Sequence, residues 1–278
     1  IKSVIYGGVV LNDNTYAIST LANGIIIIDE KGNIIEHLNE ENGLPDHMVL
    51  SIYYDKEGGN LWFATAENGI FKAYYDSPFR EWNRNNGLNG VVADIVRYDN
   101  RIYAATSNGI FYLDDKLPGN SKFKPLDGIP YEGWSLLVFN DSNNNNILLA
   151  GTSNGIYEIS KKGVKLVCEG YIYKLEKSKV NKNEVYVGYS DGFGILSYDE
   201  KSKKWKQENK QENIKNIIRD IYEKKDGKLF LGTQFQGVLY LENAHSNNFI
   251  KIDTAQGLPI EGSDFKTREV YGKLVFLQ

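Results

Sequence analysis

The chain has 278 residues, a formal net charge of −4, 13% aromatic residues including 19 Tyr, and one cysteine. That balance leaves no basic footprint for nucleic acid or anionic lipid, and a single thiol excludes an intramolecular disulfide. No apolar run approaches the roughly 18 residues that span a bilayer.

In chain order, the first recurring element is the turn LANGIII at residues 21–27, whose isoleucines read as a buried strand. Residues 43–70, GLPDHMVLSIYYDKEGGNLWFATAENGI, then read as a hairpin with a turn at each end. Gly43 can take positive φ and Pro45 fixes φ, so the chain changes direction there. Val49 to Tyr54 is β-branched and aromatic, Gly58 and Gly59 supply the hairpin turn, and Leu61 to Thr65 returns. The closing turn recurs as ENGIFK (67–72), SNGIFYL (107–113) and SNGIYEI (153–159), and more loosely as DGFGILSY (191–198) and FQGVLYL (235–241). Aligned on Gly24, Gly69, Gly109, Gly155, Gly194 and Gly237, the turns are 45, 40, 46, 39 and 43 residues apart. Gly-Leu pairs recur as well, at Gly87-Leu88 and Gly257-Leu258-Pro259, with Gly128-Ile129-Pro130 as a variant.

A period near 43 with four strands per unit predicts an all-β fold, a β-propeller of four-stranded antiparallel blades. One domain over residues 1–278 is expected. Its blades run over 1–48, 49–91, 92–131, 132–170, 171–215 and 216–263, with a partial seventh over 264–278. With the strands of a blade lettered a to d from the inside, the d-to-a connections and the b-to-c turns share one face, the top. The final segment supplies only strands a and b, and the N-terminal segment suits position d but not c. An unpaired outer edge at residues 274–277 follows, open to an extension or a neighbouring molecule. The chain starts at Ile1 without a signal sequence and is read as a piece excised from a longer protein.

Candidate site residues come from departures from the repeat. Tyr131 and Trp134 in GIPYEGWS cross a top connection, and Phe193 and Phe235 stand in b-to-c turns where Gly and Asn prevail elsewhere. Exposed aromatic faces stack on sugar rings or form protein interfaces. His47 follows Gly-Leu-Pro on the same face and is the one histidine of three retained as a candidate. Trp62 is expected in the core, while Trp82 and Trp205 are expected on outer d strands, where the lysines of 199–210 guard an edge. Asp94, Glu132, Asp220 and Asp264 fall near the starts of innermost strands, where they bond to strand-end amides or, in a metal-dependent enzyme, ring a central mouth. Cys168 reads as core. No HExxH or GxSxG is present, and no catalytic residue, metal site or cofactor is assigned.

The stretch from residue 43 resembles the two-component regulator propeller repeat, which runs roughly G-L-P-x-N-x-V, I-x-x-D-x-x-G-x-L-W-I-G-T and G-L. Gly43-Leu44-Pro45, Val49, Ile52, Asp55, Leu61-Trp62, Thr65 and Gly69-Ile70 match it. His47 stands where Asn is usual, and Phe63-Ala64 replaces Ile-Gly. Ala105-Thr106, Gly151-Thr152 and Gly232-Thr233 carry looser copies. The resemblance implies a periplasmic, extracytoplasmic sensor region of a hybrid histidine kinase or related one-component regulator. It further implies a response to oligosaccharides released from glycans, adjacent domains of the full sensor as partners, and no direct membrane contact. A homodimer is a further partner considered. Two other readings stay open: a propeller lyase or hydrolase with a site at the central mouth, and a non-catalytic scaffold of a secretion system.

Overall fold

Runs of β-branched and aromatic residues between glycine-containing turns form strands along the whole chain. The computed structural model describes residues 3–11, 14–74, 81–114, 121–143, 145–208, 210–211, 213–258 and 264–277. Expectations that rest on Ile1, Asn144, Pro259 and Gln278 lie outside them. So does most of the outer strand expected before Trp82.

The structure divides into two compact units, Ile1–Asn89 with Leu113–Lys124, and Gly90–Tyr112 with Pro125–Gln278. The first holds the four-stranded sheet β1 (Ile5–Val10), β2 (Tyr16–Thr20), β3 (Ile25–Ile28) and β4 (Ile34–Leu38), with neighbours in chain order. It also holds the three strands β5 (Val49–Asp55), β6 (Asn60–Thr65) and β7 (Gly69–Tyr74). Ala17, Ile25, Ile27, Val49, Leu61 and Phe63 pack between these two sheets.

The second unit begins with β8 (Val92–Tyr98), β9 (Arg101–Thr106) and β10 (Gly109–Asp114, ending in the first unit), antiparallel in that order. A short strand, β11 (Lys122–Pro125), has its residues divided between the units. Three four-stranded sheets follow, each again in chain order. They are β12 (Gly133–Asn140), β13 (Asn146–Thr152), β14 (Gly155–Ser160) and β15 (Gly163–Glu169); β16 (Ile172–Lys177), β17 (Glu184–Tyr189), β18 (Gly192–Asp199) and β19 (Lys204–Gln207); and β20 (Ile218–Glu223), β21 (Leu229–Thr233), β22 (Val238–Leu241) and β23 (Ile250–Ile252). The two strands β24 (Lys266–Val270) and β25 (Lys273–Leu277) close the series. These antiparallel sheets repeating along the chain make the fold a β-propeller of four-stranded blades. No helix among the described residues is long and apolar enough to cross a membrane.

Two features of the repeat have direct physical causes. In every sheet except the two-stranded one, the last residue but one of the second strand is small, a glycine at Gly151, Gly188 and Gly232, because the next sheet approaches closely there. A Cβ on Gly151 would lie 2.8 Å from Ile172 Cγ2, one on Gly188 would lie 2.7 Å from the Ile218 carbonyl oxygen, and one on Gly232 would lie 1.8 Å from that of Phe265. A following threonine then closes the turn: buried Thr20, Thr106, Thr152 and Thr233 each donate from Oγ1 to the carbonyl of the turn glycine, at 2.8–3.1 Å. Those glycines need positive φ, 65° at Gly24 and 78° at Gly237 for example.

The structure corrects the turn alignment at one repeat. Gly194 lies inside β18, paired with Val187, and the turn glycine is Gly192 at φ 150°. Trp62 is also corrected. Strand alternation turns Leu61 and Phe63 inward and leaves Trp62 38% exposed, with Lys72 over its ring at 5.5 Å. Trp82 lies outside any strand, edge-on to Phe123, whereas Trp205 is on the outer strand β19. Cys168 is buried, and burial raises its thiol pKa. The Gly-Leu pairs terminate short 3-10 turns: Asn83 and Asp253 cap Arg84–Asn86 and Thr254–Gln256, and Gly87 and Gly257 end them in the left-handed conformation.

Candidate functional site

Among the described residues, the first strand of every sheet except the two-stranded one carries a β-bulge at its second residue. In the second unit, Val92 and Asp94 pair with Thr106 and Ala105, which leaves Ala93 as the extra residue. The same shift isolates Trp134, Tyr173 and Arg219 in β12, β16 and β20. In the first unit it isolates Tyr6 and Leu50. In the second unit the bulged residue and the one after it, Ala93-Asp94, Trp134-Ser135, Tyr173-Lys174 and Arg219-Asp220, line one cavity of about 350 Å³. Asp264, Lys266 and Arg268 complete it.

Within the cavity, acceptors at one strand position serve structure. These first strands are sheet edges, with N–H groups that no ladder satisfies. Asp94 Oδ2 accepts from Leu136 N at 2.8 Å, Ser135 Oγ from Leu175 N at 3.1 Å, and Asp220 Oδ2 from Thr267 N at 2.9 Å. Asp94 and Asp220 therefore bond to strand amides. Lysines break the series at Lys174 and Lys266, which stand at the same position and have no oxygen to offer.

An aromatic layer supports one arginine. The Arg219 guanidinium carbon sits 5.0 Å from the Trp134 ring centroid and 4.2 Å from that of Tyr173, and Arg219 Nε donates to Asp264 Oδ1 at 2.9 Å. Tyr171 packs on Tyr173 at 4.8 Å and donates to Glu132 Oε2 at 2.8 Å. Burial, then that bond, raises its hydroxyl pKa. Arg268 Nη1 grips both oxygens of buried Asp220, at 3.0 and 2.8 Å.

The candidate residues read from sequence separate in the structure. Trp134 is in the cavity, half-buried. Tyr131 is exposed in the preceding connection and stacks on Tyr157 with ring centroids 6.2 Å apart. Phe235 is 68% exposed in the turn between β21 and β22. Phe193 is a correction: its turn ends one residue earlier, so it enters β18 fully buried beside Tyr186, Ile218 and Leu231 and presents no open face. His47 lies in the first unit, where its Nδ1 is 2.9 Å from Glu40 Oε1. That bond raises its pKa above the ordinary 6.5. Glu40, Asp46 and His47 bring ligand atoms within 4.8 Å of one another. Asp46 is already committed to the amides of Met48 and Glu67. Tyr173, Arg219, Lys174, Lys266 and Arg268 are site residues that the search for exposed aromatics missed.

Residues 43–67 match the family described as Two component regulator propeller. Among curated proteins, none matches the chain. A solved extracellular domain from B. thetaiotaomicron, assigned to a hybrid two component system, is similar with a TM-score of 0.67 and 20% identity. The alignment covers 96% of this chain and 37% of that one. A second such domain from the same organism gives 0.51 and 15%, covering 96% and 35%. Virginiamycin B lyase from Staphylococcus aureus gives 0.47 and 15%, covering 99% and 91%, a likeness too low to bear on activity. This chain thus spans just over a third of the extracellular domains it resembles, and the likeness establishes their fold. The chain is a β-propeller that carries a two-component regulator propeller repeat at residues 43–67.

Proposed function

We propose that the chain is a ligand-sensing propeller region of an extracytoplasmic signal-transduction regulator, responding to a glycan-derived oligosaccharide without catalysing a reaction on it. The repeat at 43–67 and the extracellular domains of similar fold support the setting. The observation that carries the reading is the cavity where Trp134, Tyr173 and Arg219 gather on consecutive first strands. Aromatic rings beside fixed hydrogen-bond donors suit a sugar, whose apolar C–H faces and hydroxyls need both. Adjacent domains of the full sensor are its proposed partners.

Calorimetry against a panel of plant and host oligosaccharides tests this. Trp134→Ala and Tyr173→Ala, at the two rings that line the cavity, should each weaken the binding saccharide by roughly 1–3 kcal/mol, on the scale of bases stacked on aromatics. Unchanged affinity in both variants removes the aromatic platform. Cleavage of the saccharide during incubation would move the protein to the lyase or hydrolase reading.

A further inference from the structure

The charges in the cavity are unequally committed. Four cations, Lys174, Arg219, Lys266 and Arg268, face three carboxylates. Each carboxylate already has protein donors. Asp94 accepts from Ile95 N and Leu136 N, Asp220 holds Thr267 N and Arg268, and Asp264 holds Arg219 Nε. The cations retain capacity. Arg219 bonds only through Nε and Arg268 only through Nη1 among the described residues. Lys266 is exposed with no ion pair among them.

Arg219 is also held in place before any ligand arrives. Its guanidinium lies over Trp134 and Tyr173 while Asp264 fixes Nε, so its terminal nitrogens point where those three contacts leave them. Such a guanidinium loses little freedom on binding and presents the planar fork that matches a carboxylate. Trp134 thus also positions Arg219. The lysines at 174 and 266 occupy positions where acceptors join the sheets elsewhere, which removes negative charge from the cavity as well as adding positive charge.

We infer that this cavity recognises a carboxylate, borne by an acidic sugar, through Arg219 and Lys266, with Arg268 beside them. The inference rests on the oligosaccharide reading for the sugar and on the cavity alone for the charge. At about 350 Å³ the cavity is near the lower end of small-molecule sites, roughly 300–1,000 Å³, and suits one terminal acidic residue better than a long chain.

Titration calorimetry with trigalacturonate, its fully methyl-esterified form and succinate tests both parts. The acid should bind at least about tenfold more tightly than the ester, and Arg219→Gln and Lys266→Ala should each erase most of that ratio. Lys266 is exposed, so its variant keeps the test valid if the Arg219 variant folds poorly. Equal binding of acid and ester, or a ratio unmoved by Lys266→Ala, overturns the charge rule and leaves the oligosaccharide reading standing. Succinate binding as tightly as the acid keeps the charge rule and removes the sugar. Binding by none of the three overturns both.

Discussion

A single hydroxyl closes the turn between β13 and β14. Thr152 Oγ1 donates to the Gly155 carbonyl at 2.8 Å and accepts from Asn154 N and Gly155 N at 3.2 and 3.1 Å. Thr152 is fully buried, so water cannot replace these bonds. Thr152→Val keeps the shape and removes the hydroxyl; it should cost about 1–3 kcal/mol, read as a lower urea midpoint at unchanged slope. An unchanged midpoint would show the turn to be held by its glycine alone. The Thr and the Gly were both legible in the sequence, because Ala105-Thr106, Gly151-Thr152 and Gly232-Thr233 repeat. The slip at Gly194 has a local cause. Tyr189 replaces the threonine, and DGFG offers two glycines. Ser190-Asp191-Gly192 copies Ser153-Asn154-Gly155, and that match identifies the right one.

At the scale of the strand, the bulges explain both a success and a failure of sequence reading. Alternation places core residues two or four apart along a strand. Here the buried pairs Ile172/Leu175 and Ile218/Ile221 are three apart, which requires one extra residue between them. That odd spacing brackets Tyr173 and Arg219 in the sequence, but it marks a bulge only once the register shows which partners the flanking residues take. Reading for exposed aromatics found only Trp134, because Tyr173 and Arg219 look like ordinary strand residues. Phe193 failed for the complementary reason, since a two-residue error in the turn moved it from the strand to the tip. The close approach of β24 to β21 makes another element-level test. Gly232 has no room for a Cβ against the Phe265 carbonyl, so Gly232→Val should detach β24 and β25. Limited proteolysis should then cut after Lys266 or Arg268, where the parent protein resists. Equal resistance would mean that the backbone shifts to accept the side chain.

At the scale of the whole molecule, protection should follow the number of strands per sheet. The sheet of β24 and β25 is two-stranded among the described residues, and Leu274 and Phe276 reach only the satellite cluster around Phe230, Val238 and Phe265. By contrast, β21 lies between β20 and β22 and is buried along its length. Amide exchange by mass spectrometry should therefore be orders of magnitude faster in β25 than in β21. Equal protection would mean that something covers the β25 edge. The repeat period identified the fold from sequence, whereas the cavity required positions that only the register reveals.

The bulged residue is the one place in each first strand that the ladder does not pair. Four sheets of the second unit fill it with Ala93, Trp134, Tyr173 and Arg219: a methyl group, two aromatic rings and a guanidinium. On the proposed function, folding instructions and recognition instructions are written at different letters of the same repeat. Mutation can rewrite the second set one sheet at a time while leaving the Gly-Thr turns and core spacing intact. A scaffold built this way can drift from one ligand to another without passing through an unfolded intermediate sequence.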